Sequence, residues 1–149
     1  MDKLLQSSLS DMQGKLFEMS GNDGYDSAAF IKCFMNSPVA KGLDSEFDFM
    51  QWAGKEYIYE RMQDEHPEAF VKGGKVFDND VLFWIGYTYR RWHYYTGESS
   101  KEIYKIANAG IMNTSFLGYH TVDTEIAIDW LKEAKKEVRK KDKLGLRME

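Results

Sequence analysis

Residues Asn79–Thr96 read NDVLFWIGYTYRRWHYYT, and this stretch decides the fold. At about 100° per residue, Val81, Leu82, Ile85, Tyr89, Trp92 and Thr96 fall on one face. Trp84 and Thr88 lie beside them. An apolar run at that period is a core helix. Asp78 stands at its start, and Gly97 at its end, where helices favour a left-handed residue. The opposite face carries Phe83, Tyr87, Arg90 and Tyr94 at spacings of four, three and four, with Arg91 adjacent. A solvated face is normally Lys, Glu, Gln or Ser. Aromatics beside arginine are instead the composition enriched at binding hot spots. Phe83, Tyr87, Arg90, Arg91 and Tyr94 are therefore the candidate partner-binding residues, and part of the set is expected to be exposed and contiguous. The alternative is a central helix packed on both sides, its arginine stems reaching along it to water.

Working outward, helical periodicity recurs along the chain. Leu4, Leu5, Leu9, Met12, Leu16 and Met19 predict a first helix over 2–18, broken by Ser20-Gly21-Asn22-Asp23-Gly24. Asp26 or Ser27 can cap a second through 36, with Ala29, Phe30, Cys33 and Phe34 as its apolar face. Pro38 ends it or opens a short turn. A third helix is expected over 46–65, with Phe47, Met50, Gly54, Tyr57, Ile58 and Met62 on one stripe. It should end at or just before His66, because Pro67 disfavours helical geometry in the residue before it. A tiny hairpin across Gly73-Gly74 is the only strand option. Ser99-x-x-Glu102 is a capping box opening a helix to about 108. A helix over 109–119 follows a bend at Gly110. Asp123 can cap the last, 124–141, whose stripe is Ala127, Trp130, Leu131, Ala134 and Val138.

The chain has 149 residues, of which 43% are hydrophobic and 30% charged, enough apolar material for one core and too much for disorder. The expected fold is thus all-α: one compact domain over 1–149, with five to seven helices around 79–96. No apolar run approaches the roughly 18–20 residues a membrane helix needs, and no signal peptide is evident at Met1-Asp2-Lys3. The single Cys33 excludes an internal disulfide framework and points to a reducing compartment, so a cytoplasmic protein is expected. Charge is uneven. Residues 44–80 hold ten acids and four bases, whereas the basic end, 132–149, holds eight bases and four acids. That end reads as a solvated helix with cations at its C-terminus, which the helix dipole favours. The alternative is a tail that docks on an acidic partner or nucleic acid.

Catalytic chemistry finds little footing. His66, His93 and His120 lack a second His at i+3 or i+4, so no helical metal pair exists. Neither metal nor cofactor is expected, and Cys33 reads as a core residue on an apolar stripe. Gly73-Gly74-Lys75 lacks the rest of a phosphate loop. Arg61-x-x-x-x-His66 matches the loose spacing of the helical HEPN ribonucleases, with His for proton transfer and Arg for phosphate charge. Met62 departs from the polar residue usual after that Arg. Residues 100–120 resemble a helix-turn-helix, with Gly110 in the turn and 113–120 as reader. That reader has no Arg or Lys for bases or phosphates, and the net charge of -4 opposes a backbone-gripping surface.

The segments Leu82–Trp92, Gly97–Tyr104 and Tyr119-His120-Thr121-x-Asp123 resemble small helical bacterial proteins encoded beside toxin genes, some of them ADP-ribosyltransferase-like. The resemblance spans roughly 81–131. It implies a cytoplasmic antitoxin-like protein that binds and silences a partner protein, such as a toxin enzyme. The leading expectation is a non-enzymatic protein-binding regulator. The runners-up are a ribonuclease using Arg61 and His66, and a DNA-binding regulator using 100–120.

Overall fold

The computed structural model describes residues 1–145. It is all-helical, with α1 (Lys3–Asn22), α2 (Ser27–Met35), α3 (Pro38–Asp44), α4 (Lys55–Glu65), α5 (Asn79–Thr96), α6 (Ser100–Ile106), α7 (Ala109–Tyr119) and α8 (Thr124–Lys143). Short 3-10 turns at Phe49–Trp52 and Pro67–Ala69 flank α4. Among the described residues, α3 is the helix beyond the expected range. Ser37 caps it by accepting from the Ala40 amide, and Pro38 takes the first turn, where its missing N–H costs nothing.

Helix α5 is the centre, packed by α1, α6, α7 and α8. Its predicted face is core: Val81, Leu82, Ile85, Tyr89 and Trp92 are buried. Phe17 of α1 meets Phe30, Phe34 and Tyr89 edge-on, at centroid distances of 5.7, 5.3 and 6.3 Å. Such pairs add about 0.5–1.5 kcal/mol beyond their buried area. Gly97 closes α5 at φ 80°, its amide bonded to the His93 carbonyl.

Helices α1 and α5 approach closely because glycines face each other. A Cβ on Gly86 would lie 2.5 Å from the Gln13 carbonyl oxygen, and one on Gly14 would lie 2.7 Å from the Phe83 ring. The Gln13 amide donates to the Gly86 carbonyl at 3.0 Å, tying the crossing. Gly86→Ala must therefore push backbone against backbone. We expect a loss of about 1–3 kcal/mol in urea unfolding. An unchanged midpoint would mean that the helices separate without cost.

Three sequence expectations are corrected. Helix α1 does not stop at 18 but runs to Asn22, because Gly21 sits under the Leu82 side chain as a close-approach point. The third helix does not span 46–65. Phe47 and Gly54 both adopt left-handed backbone, at φ 65° and 82°, so no helix can pass through them. Helix α4 starts after Gly54 and ends at Glu65, as Pro67 demanded. In α8 only the first half packs: Ala127, Ile128 and Leu131 are buried, whereas Trp130, Ala134 and Val138 are exposed. Of the basic end 132–149, residues 146–149 lie outside the described residues.

No hairpin forms across Gly73-Gly74; that segment lies along the start of α2 instead. The amides of Asp26 and Ser27 donate to the Val71 and Lys75 carbonyls at 2.7 and 3.0 Å. The Asp26 carboxylate caps α2 at the Ala29 amide with one oxygen and accepts from the Lys75 amide with the other. The capping box of α6 is formed as expected, with Ser99 Oγ accepting from the Glu102 amide and Glu102 from the Ser99 amide. Ser99→Ala should then lose about 0.5–2 kcal/mol by thermal or urea denaturation. No loss would mean that solvent replaces the cap.

Candidate functional site

The aromatic–arginine face of α5 is only partly open, with Phe83 and Arg90 meeting α1 and Arg91 reaching α8. Phe83 and Tyr87 stack at 5.9 Å and are half-buried, with Phe83 against Gly14. Arg91 is half-buried and lies 3.6 Å from Glu125. Arg90 is only 1% exposed. Its Nε donates to Gln13 Oε1 at 2.9 Å, its Nη1 to Asp44 Oδ1 at 2.6 Å and its Nη2 to Ser100 Oγ at 3.2 Å. Asp44 also accepts from the Ser100 amide and hydroxyl, both at 2.8 Å. His93 donates through Nδ1 to the Glu98 carbonyl at 2.7 Å, which sets its tautomer. Tyr94 lies beside Arg90. Burial pushes its phenol up, against the opposing charge of the guanidinium.

Of the five candidate residues Arg90 alone is buried, while Phe83, Tyr87, Arg91 and Tyr94 each keep part of their surface in water. Arg90 is not a surface cation but the knot that ties α1, α3, α5 and the start of α6. Every side chain facing its fork is an acceptor, so the charge is neutralised inside the fold and is not free for a partner. A cavity of about 400 Å³ opens beside the knot, lined by Met35, Pro38, Lys41, Asp44, Ser100 and neighbouring residues.

The exposed aromatic surface lies elsewhere, between α3 and α4. Phe47 is 90% exposed, Trp52 67%, Phe49 56% and Tyr57 45%. Asp48 caps the 3-10 turn through the Met50 amide, and Met50 and Gln51 point inward as its anchor. Side chains three apart eclipse in a 3-10 turn, so Phe49 and Trp52 share its outer side. The Phe49 and Tyr57 rings meet edge-on at 5.6 Å. Phe47 pays for its position with a left-handed backbone, an uncommon conformation for a bulky residue. Between Asp44 and Glu65 stand seven acids and two bases, so the aromatics sit in a negative field.

Sequence periodicity placed Phe47 and Tyr57 on a buried helical stripe, and so missed this surface. The available signal was Gly54, together with an acid on each side of Phe47. A second grouping was equally hidden. Cys33, His66 and Glu68 bring three ligating atoms within 4.8 Å of one another. Burial first, then the Glu68 charge, pushes the Cys33 thiol up. A backbone hydrogen bond first, and His66 beside it, holds Glu68 below the usual carboxylate range.

The other sequence-predicted groups have local partners and caps. Arg61 pairs with Glu65 at 3.0 Å while His66 pairs with Glu68 at 3.3 Å, so the two would-be ribonuclease groups have different partners. The break between α6 and α7 falls at Ala107-Asn108, where Asn108 caps α7, and Gly110 lies inside α7 rather than in a turn. Exposed Ile111 and Leu117 make the outer side of α7 apolar, a poor fit to a nucleic-acid reader. Among the described residues no helix is long and apolar enough to cross a membrane. Comparison with family models, curated proteins and solved structures finds no match to this chain.

Proposed function

We propose that this chain is a non-enzymatic, protein-binding regulator that docks through Phe47, Phe49, Trp52 and Tyr57 and silences its partner. The exposure of these four aromatics supports the reading most directly. The ring area left in water does nothing for the monomer. Covered by a partner, each large ring contributes about 25 cal/mol per Å² of apolar area removed. The surrounding carboxylates select a partner whose contact face is basic around an apolar pocket, and they repel nucleic acid. An antitoxin-like inhibitor of a toxin enzyme in the cytoplasm fits this description. The resemblance over 81–131 supports that class and contributes scaffold rather than contact residues.

The test is purification of tagged chain from its native host, with mass spectrometry of what co-purifies. Binding of the recovered partner is then titrated with wild type and with Trp52→Ala. We expect a basic partner and binding weakened about 30-fold or more by the variant. A partner that binds Trp52→Ala as tightly as wild type would move the site elsewhere.

A further inference from the structure

We infer that Cys33, His66 and Glu68 form a binding site for a divalent transition metal of the zinc class. Cys33 lies on α2, His66 caps the C-terminus of α4, and Glu68 sits in the 3-10 turn that follows. The fold, not the local sequence, brings them together across 35 residues. Two of their separations lie close to the edges of a coordination tetrahedron, and the third is within reach of one. With metal bonds of about 2.0–2.3 Å, an N···O edge spans about 3.4 Å and an S···O edge about 3.6 Å. Here His66 Nδ1 and Glu68 Oε1 are 3.3 Å apart, and Cys33 Sγ and the same oxygen are 3.9 Å apart. The third edge closes within 4.8 Å.

The chemistry of the donors narrows the ion. Thiolate, imidazole and carboxylate together match zinc, while magnesium and calcium favour all-oxygen shells. The thiol proton passes to solvent as the sulfur–metal bond forms. Three protein ligands leave a fourth position open, and Glu68 on the exposed rim gives it access from water. The bound ion pins α2 to the corner between α4 and the following turn, so it should stabilise the native state in proportion to its concentration. This site is independent of the aromatic loop.

Zinc and cobalt(II) salts are the probes, titrated into purified, EDTA-stripped chain. We expect one ion per chain, a rise in melting temperature on adding Zn²⁺, and a cobalt adduct with tetrahedral visible bands and a thiolate charge-transfer band. Cys33→Ser should abolish the charge-transfer band. Cys33→Ser and His66→Ala should each weaken Zn²⁺ by at least about tenfold. Glu68→Gln should do the same while leaving the metal-free melting temperature unchanged, because that side chain is 67% exposed. Exposed His120→Ala should leave binding as in wild type. Absence of stoichiometric binding overturns the inference. So does binding that survives both Cys33→Ser and Glu68→Gln, or that disappears with His120→Ala.

Discussion

Arg90→Ala is expected to destabilise the fold by about 3–5 kcal/mol, a large share of the roughly 5–15 kcal/mol that holds a domain of this size together. The loss is not that of one ion pair. Removing the guanidinium leaves the Asp44 carboxylate, 11% exposed, without its arginine partner, and leaves Gln13 Oε1 facing a void. Gln13 Oε1 becomes a buried acceptor stripped of its donor, where the desolvation penalty applies, and the Asp44 charge keeps only the neutral Ser100 amide and hydroxyl as donors. Arg90→Lys should lose less, since it keeps a charge but not the three-way fork. Replacing both partners, Arg90→Met with Asp44→Leu, should recover part of the loss, because no uncompensated charge remains. Urea unfolding monitored by tryptophan fluorescence reads all three. An Arg90→Ala midpoint equal to wild type would show that the knot contributes nothing to stability and would reopen α5 as a binding face.

The second large effect is expected in binding rather than folding. Phe47→Gly combined with Trp52→Ala should weaken partner affinity by about 3–4 kcal/mol, two to three powers of ten in Kd. Both side chains are mostly in water, so neither deletion opens a core cavity. Glycine at 47 also accepts the left-handed backbone that Phe47 holds at φ 65°, offsetting the freedom it adds to the unfolded chain. The melting temperature should stay within error of wild type. Calorimetric titration against the isolated partner, beside a thermal melt, separates the two readouts. Lost binding with an unchanged melt supports the loop as the contact surface. A cooperative collapse on heating would show that the loop is structural.

The two experiments divide the aromatics and cations of this chain by what surrounds them. On α5 Tyr89, Trp92 and Arg90 are buried in the packing, whereas from the end of α3 into α4 aromatics of the same kind face solvent. Residue type alone does not distinguish these cases, because rings and guanidinium groups suit cores and interfaces alike.

Much of the secondary structure was legible in the sequence. The period of Val81, Leu82, Ile85, Tyr89 and Trp92 determined the central helix and its core face, since burial of one stripe follows directly from 3.6-residue geometry. Gly97, the Ser99–Glu102 box, Asp26 and Pro67 determined where helices start and stop, because capping and proline sterics act within a few residues. What surrounds the other face of α5 was decided only in three dimensions. Gly14 and Gly86 let α1 approach until Arg90 was sealed between Gln13, Asp44 and Ser100, partners 77, 46 and 10 residues away. The outward aromatic loop depends on two left-handed residues that interrupt an otherwise helical period, and Cys33 meets His66 and Glu68 only because α2 packs against the turn after α4. Local pattern fixes conformation along the chain; which side chains end up in water, in a polar knot or around a common centre depends on contacts between distant segments, and these form only when the helices pack.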